Sequence, residues 1–140
     1  MYRVLMPVDD DPERSVAQAK SVANLPHASE SVEVLLLYVF TDDDSLGPDA
    51  DEESRSATAV ESVQRATEYF DEHGVEYEVR KDRNDPVEAI LDNEVDHDVD
   101  AIVMGGRKRS PSGKVLFGSV SHSVLMNTDT PVLLTGGASD

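Results

Sequence analysis

The sequence predicts an α/β fold, an open five-stranded parallel sheet with helices on both faces. Stretches with strand-like and helix-like apolar spacing alternate along the 140 residues. Two nearly continuous apolar runs, 31–40 and 100–104, are typical of strands covered on both faces. The chain has no Cys and no apolar stretch of about 18 residues, which excludes thiolate chemistry and predicts no membrane span. The first residues lack the features of a signal peptide, and we expect a single cytoplasmic domain over residues 1–140.

Each predicted strand except the last is followed by a predicted helix. The strands are predicted over residues 2–8, 31–40, 75–81, 100–104 and 131–135. The helices are predicted to begin at residues 12, 54, 86 and 119. The third strand, VEYEVRK, alternates polar and apolar residues, so we expect it at an edge of the sheet. Five strands in this alternation fit a flavodoxin-like order, in which ligands bind beyond the carboxyl ends of the strands.

Capping residues mark the ends of these helices. Asp11 before Pro12, and Asp85 before Pro86, each place an N-cap residue ahead of a proline at the first helical position. Gly74 is predicted to be the C′ residue that ends the long second helix near residue 73. These signals fix where three of the helices begin or end.

The net charge of −17 indicates an acidic body, with 29 Asp and Glu against 12 Lys and Arg. Residues 41–53 are acidic without one basic residue, which predicts a solvated loop, and the tail 136–140 is expected to fray. We expect adaptation to high salt, where a Debye length of roughly 3 Å at 1 M weakens repulsion between surface carboxylates. An ordinary acidic bacterial protein is the alternative. The negative body argues against nucleic acid as a partner, since duplex binding needs a basic face.

One segment departs from this acidity. Residues 101–128 contain no Asp or Glu and hold the four cations Arg107, Lys108, Arg109 and Lys114. Gly118 and Ser119 then begin a helix, whose free N–H groups form a cradle for an anion. Because this segment follows the fourth strand, it lies at the end of the sheet where α/β folds bind ligands, and it predicts a small ligand carrying phosphate.

The same residues also fit a purely structural role, with glycines in a turn, a capping serine and a solvated basic face. Two other phosphate motifs are excluded. A P-loop fails because Lys108 stands at its first glycine position and Val115 follows Lys114, where Ser or Thr is needed. No G-x-G-x-x-G follows the first strand, so a Rossmann dinucleotide site is not expected.

The segment MGGRKRSPSGKVLFGSVSHSV, residues 104–124, resembles the nucleotide loop of universal stress proteins, whose signature is G-x2-G-x9-G-[S/T]. The further matches, in the order of the family, are PVD at 7–9, LLLYV at 35–39, NDP at 84–86, VDAIVMG at 99–105 and TPVLL at 130–134. The resemblance covers almost the whole chain. It implies an adenine nucleotide alpha hydrolase-like fold and a small stress-response protein that binds ATP.

The resemblance also implies a role for individual residues. Asp9 lies near the ribose and adenine, the backbone of Val39 contacts adenine, and Gly118 with Ser119 holds the phosphates. The residues expected to bind the nucleotide are Pro7, Val8, Asp9, Val39, Met104, Gly105, Arg107, Lys108, Gly118, Ser119 and Val120. Lys108 replaces the second signature glycine, so its ammonium contacts phosphate or its Cβ obstructs the ligand.

Two further features of the sequence bear on this resemblance. Asn84 replaces a glycine common in the family, a mild change because Asn tolerates the left-handed region. The acidic run 9–11 is able to hold Mg²⁺ on a nucleotide, or belongs only to the start of the first helix.

Members of the family are usually homodimers that pair through the last strand. The last strand would here form an apolar edge with Val132, Leu133 and Leu134. Such an edge needs to be covered by another chain, which agrees with a homodimer. A family member without nucleotide, acting through dimerisation or partner binding, is the main alternative.

Two other classes of protein remain as weaker alternatives. VLMPVDDD resembles the start of a response-regulator receiver, but that reading needs an Asp ending the third strand and a Lys after the last, and no Lys follows Lys114. An enzyme is the second. The four histidines, His27, His73, His97 and His122, show no metal spacing, and His122 with Ser119 lacks the acid of a triad. We therefore expect no catalytic residue and no protein-bound metal.

Overall fold

The computed structural model describes residues 1–9, 11–39, 52–82, 85–108, 115–116 and 118–137, and for 52–60, 106–108, 115–116 and 136–137 it describes the backbone alone. The strands are β1 Tyr2–Val8, β2 Val32–Val39, β3 Glu76–Asp82, β4 Ala101–Lys108, β5 Val115–Leu116 and β6 Val132–Gly137. The helices are α1 Pro12–Ala23, α2 Ala28–Ser31, α3 Glu52–His73, α4 Pro86–His97 and α5 Ser119–Asn127. The short helix α2 was not predicted.

Within the described residues, five strands form a parallel sheet in the order β3-β2-β1-β4-β6. This confirms the predicted fold class. The flavodoxin-like order, 2-1-3-4-5, was wrong, because β3 adds to the outer side of β2 instead of crossing over to β1. The polar strand β3 lies at the edge of the sheet, as its alternating pattern predicts.

Helices cover both faces of the sheet. Successive side chains of a strand point to opposite faces, so β1 and β2 each supply two cores. The core beneath α1 and α3 includes Val4, Met6, Leu36, Ala19, Val22 and Phe70. The core beneath α4 and α5 includes Leu5, Leu35, Leu37, Ile90, Ile102 and Val124. Continuous apolar runs in the sequence therefore correspond to strands buried on both sides.

The capping predictions are confirmed by hydrogen bonds. The Asp11 carboxylate accepts from the backbone N–H groups of Glu13 and Arg14, at 3.0 and 3.4 Å. Asp85 caps α4 in the same way. Gly74 has a φ of +70° directly after α3, a conformation that favours glycine.

Three elements extend beyond their predicted bounds by two residues or more. Strand β4 continues through both glycines to Lys108, since residues 107–108 gain an antiparallel partner in β5. Helix α3 already begins at Glu52, so residues 52–53 are helical, where acidic residues are favoured by the helix dipole. Strand β6 extends to Gly137.

Several predictions fall outside the described residues. These are the conformations of 41–51 and 138–140, and the placement of Asp10, Asn84, Arg109 and Lys114.

Candidate functional site

A crevice opens between β1 and β4 at their carboxyl ends. Strand β1 pairs with β2 as far as Val8 and Tyr38, whereas its pairing with β4 includes only Val4 and Leu5. Beyond Leu5 the two strands therefore diverge. From β1 the sheet continues to β2 on one side, and from β4 it continues to β6 on the other. A divergence of this kind at the carboxyl edge is where open α/β sheets bind ligands.

Gln18 of α1 lies at the base of this crevice, between β1 and β4. Its side-chain Nε2 donates to the carbonyl oxygens of Pro7, at 2.7 Å, and Val103, at 3.1 Å. The residue is only 1% exposed. One buried amide thus joins β1 to β4 where their backbone pairing has ended, and it satisfies two carbonyl groups that burial would otherwise leave unpaired.

Asp9 lies on the β1 side of the crevice with a partly exposed carboxylate. Its backbone carbonyl accepts a hydrogen bond from Ser62 Oγ of α3, at 2.6 Å. Its Oδ1 accepts from the backbone N–H of Asp11, at 3.0 Å. Ser15 Oγ in turn donates to the carbonyl of Ser62, at 2.9 Å. Ser62 therefore holds the backbone of Asp9, Ser15 bonds Ser62 in turn, and the carboxylate of Asp9 remains partly exposed.

Gly105 lies on the β4 side. An ideal Cβ built there would come 2.7 Å from Arg14 Cγ and 3.3 Å from Gln18 Cδ. The side chains of α1 thus pack directly on the backbone of Gly105. A residue with a Cβ at this position would clash with them. Thr135 Oγ1 of β6 donates to the carbonyl of the preceding Met104, at 3.2 Å, which secures the other edge of β4.

Arg14 joins the two sides of the crevice. Its aliphatic stem packs on Gly105, and its guanidinium forms ion pairs with the carboxylates of Asp9 and Asp11, the second at 3.2 Å. Its Nε is buried and has no hydrogen-bond partner within the described residues. Sequence reasoning missed Arg14 and Gln18. The available signal was their spacing of four residues in the first turns of α1, which puts both on one face.

The start of α5 provides the second half of the candidate site. Gly118 is the N-cap, with φ −77° and no side-chain hydrogen bond to the helix. Among the described residues, a Cβ at Gly118 would meet no atom within 4 Å. In contrast, α1 and α4 are both capped by Asp side chains. The first turn of α5 therefore faces open space, with Ser119 as its first helical residue and exposed.

Strand β5 fixes where this helix begins. Leu116 pairs with Arg107 at the far carboxyl end of β4. Gly118 follows Leu116 by two residues, a reach of at most about 7 Å. The start of α5 is thus tied to the same end of the sheet as Gly105.

The remaining predicted residues divide into three groups. Pro7, Val8 and Val39 end β1 and β2 beside the crevice, and Val120 packs partly against the core beneath α4 and α5. Arg107 and Lys108 lie in the extension of β4, so the segment predicted as a cationic loop is in part a strand. Arg109 and Lys114 lie outside the described residues.

The opposite end of the sheet has a hollow of about 660 Å³ at the amino ends of β1, β2 and β3. Four of its polar lining residues pair with one another. Arg3 bonds Glu33 at 2.7 Å, which raises the pKa of Arg3, and Tyr77 donates to Asp71 at 3.1 Å. Burial, followed by the Asp71 hydrogen bond, raises the pKa of Tyr77.

Two kinds of feature are absent from the described part of the chain. Over those residues, no helix is both long and apolar enough to cross a bilayer. The same residues contain no cluster of three or more His, Asp or Glu arranged to hold a metal ion.

The fold recurs in solved structures of known proteins. A universal stress protein from Archaeoglobus fulgidus superposes with a TM-score of 0.76 at 26% identity, covering 96% of this chain and 98% of that chain. A universal stress protein of the same organism in complex with dAMP gives 0.72 at 22% identity, with coverages of 96% and 98%. A universal stress protein in complex with cAMP gives 0.68 at 19%, with coverages of 98% and 97%. No curated protein matches the sequence significantly.

The strand order and the crevice define an adenine nucleotide alpha hydrolase-like α/β protein. The sequence model of the universal stress protein family matches residues 1–136. The chain therefore belongs to the universal stress protein family. The receiver alternative is wrong, because a receiver has the 2-1-3-4-5 order that this sheet lacks.

Proposed function

We propose that this protein binds an adenine nucleotide, ATP in the first instance, in the crevice between β1 and β4. The observation that carries the proposal is the end of β1–β4 pairing at Leu5, with Asp9 and Gly105 on the two sides of the opening. Structures of relatives with dAMP and cAMP support it, since both ligands are adenine nucleotides.

The residues around the crevice suit the parts of a nucleotide. The carboxylate of Asp9 accepts hydrogen bonds from ribose hydroxyls, and the backbone at Val39 bonds adenine. The uncapped first turn of α5 presents N–H groups to phosphate, and the missing Cβ at Gly118 leaves room for it. Ser119 adds a hydroxyl donor. Any Mg²⁺ enters with the phosphates, since the described residues offer no metal cluster of their own.

The protein acts as a ligand-responsive module of the cytoplasm and not as a catalyst. Within the described residues, no side chain near the crevice pairs with a base in the manner of an activated nucleophile. Asp9 is engaged by Arg14 and by the backbone of Asp11, which suits a binding role. A partner would then recognise whether nucleotide is bound by contacting the surface around the crevice.

A direct experiment tests this proposal. The protein is purified in high salt without added nucleotide and denatured, and the supernatant is analysed for adenine nucleotides. We expect ATP or AMP in the supernatant, or ATP binding by calorimetry if the nucleotide is lost during purification. Absence of released nucleotide together with absence of calorimetric binding at several salt concentrations would contradict the proposal.

A homodimer through β6 is the second proposal. Leu133 and Leu134 are 41% and 39% exposed, which is high for leucines of a strand. In the described part of the chain β6 pairs only with β4, so its outer edge is open. An open apolar edge strand is a template for pairing with another chain, and a second copy of the same strand satisfies it. This surface also favours the alternative in which the protein works by dimerisation without nucleotide.

A further inference from the structure

Arg14 occupies a position that is unfavourable for a cation. It lies in the first turn of α1, where the helix dipole places partial positive charge. Its side chain is 17% exposed and its Nε is buried, so the guanidinium is partly removed from water. An anion must compensate such a charge.

The compensation within the protein is incomplete. Asp9 and Asp11 each take one terminal nitrogen of the guanidinium, through Nη1 and Nη2. The Nε–H is buried and, among the residues that the structure describes, it has no acceptor. Buried donors are costly when unpaired, and an unpaired group in a native structure calls for an explanation.

The location of this guanidinium gives that explanation. It lies between Asp9 on one side of the crevice and Gly105 on the other. An arginine side chain presents Nε–H and a terminal N–H as a fork that matches two oxygens of a phosphate. The unpaired atom is therefore a member of the pair with which arginine recognises phosphate.

We propose that Arg14 makes this crevice select phosphorylated nucleotides over nucleosides. This inference rests on the proposed nucleotide site. The guanidinium binds a phosphate of the ligand with its Nε–H and a terminal N–H, and it leaves the carboxylate of Asp9 in doing so. Asp9 is then free to accept hydrogen bonds from the ribose. A single side-chain movement thus couples phosphate recognition to ribose recognition.

The test measures affinities for ATP, AMP and adenosine by calorimetry at one salt concentration. Arg14→Met keeps the aliphatic stem that packs on Gly105 and removes the charge. Arg14→Lys keeps the charge and removes the fork. Lys20→Met removes an exposed cation from the same helix and is the matched control.

We expect Arg14→Met to weaken ATP and AMP binding by about tenfold or more, the loss of one charged hydrogen-bonded pair. Adenosine binding stays within about twofold of the wild type, because adenosine carries no phosphate for Arg14. Arg14→Lys gives an intermediate loss for ATP, and Lys20→Met behaves as wild type. Thermal unfolding of each variant reports whether the fold is retained, and Arg14→Lys decides the question if Arg14→Met does not fold.

Two results would overturn the inference, and they differ from failure of the site itself. An equal loss for all three ligands assigns Arg14 a structural role only. Unchanged or tighter ATP binding in Arg14→Met shows that the guanidinium obstructs the crevice. If the wild type binds none of the three ligands, the nucleotide proposal fails and this inference fails with it.

Discussion

The two glycines of the candidate site serve different purposes, although sequence reasoning gave both to the same ligand. At Gly105 the neighbours leave no room, since a Cβ would lie 2.7 Å from Arg14 Cγ. At Gly118 the surroundings are open and φ is ordinary for any residue. The protein itself therefore requires glycine at 105 but gives no steric reason for it at 118. Under the proposed function, a ligand that approaches the backbone would supply that reason.

This difference predicts the behaviour of Gly118→Val. The valine side chain fills the space in front of the first turn of α5, so nucleotide binding is abolished. The fold is retained, with a loss of stability on the order of 1 kcal/mol for a poorer N-cap residue. Calorimetry with ATP and thermal unfolding measure the two effects.

Gly74→Val is the matched control for this experiment. Its φ of +70° strains any β-branched residue, so it loses stability without touching the crevice. Normal ATP binding by Gly118→Val would show that the phosphates do not approach this helix.

At the scale of elements, the starts of α1 and α4 and the end of α3 were predictable because they depend on local chemistry. Asp11 and Asp85 each cap the turn that follows them, and Gly74 takes a conformation that glycine tolerates best. Strand β4 was underestimated because its last residues are in a strand only through pairing with β5. A partner distant in sequence is invisible to a local apolar pattern.

The position of the crevice could be predicted from the sequence, but not all of the residues that line it. The carboxyl ends of parallel strands lie at the same edge of the sheet. The predicted strand ends and the glycines that follow them therefore locate this edge. Gln18 and Arg14 were missed because polar residues on a helix face are usually solvent-exposed. Their role depends on β1 and β4 diverging next to α1, which is a property of the whole sheet.

Gln18→Leu tests the junction between β1 and β4. The apolar side chain leaves the carbonyl groups of Pro7 and Val103 unpaired, and each unpaired buried group costs roughly 1–3 kcal/mol. We expect a loss of about 2–5 kcal/mol in the free energy of unfolding, measured in urea. Gln64→Leu on the exposed face of α3 is the control and changes stability by less than about 0.5 kcal/mol. Equal stabilities of the two variants would remove Gln18 from this role.

At the scale of the whole molecule, β6 predicts the state of assembly. We expect the wild type to sediment as a dimer and Leu134→Asp as a monomer, because the charge cannot be buried at a strand edge between two copies. Leu125 of α5 is similarly exposed, at 46%, but lies off this edge. Leu125→Asp is therefore the control and stays dimeric. A monomeric wild type, or equal sedimentation of both variants, argues against pairing through β6.

The net charge of −17 is a property of the whole chain that the fold does not explain. Adaptation to high salt stays a prediction. Salt concentration bears on the site because salt screens exposed charges more strongly than the partly buried charge of Arg14. Affinity for nucleotide should therefore be compared at fixed salt.

The central claim is that an adenine nucleotide binds between β1 and β4. Its most direct test is an NMR titration of the labelled protein with ATP, in which backbone amide shifts are followed residue by residue. We expect the largest shifts at Asp9, Gly105 and Ser119, with small changes at Glu33 and Tyr77 beside the hollow at the opposite end of the sheet. Shifts centred on that hollow, or none at saturating ATP, would contradict it.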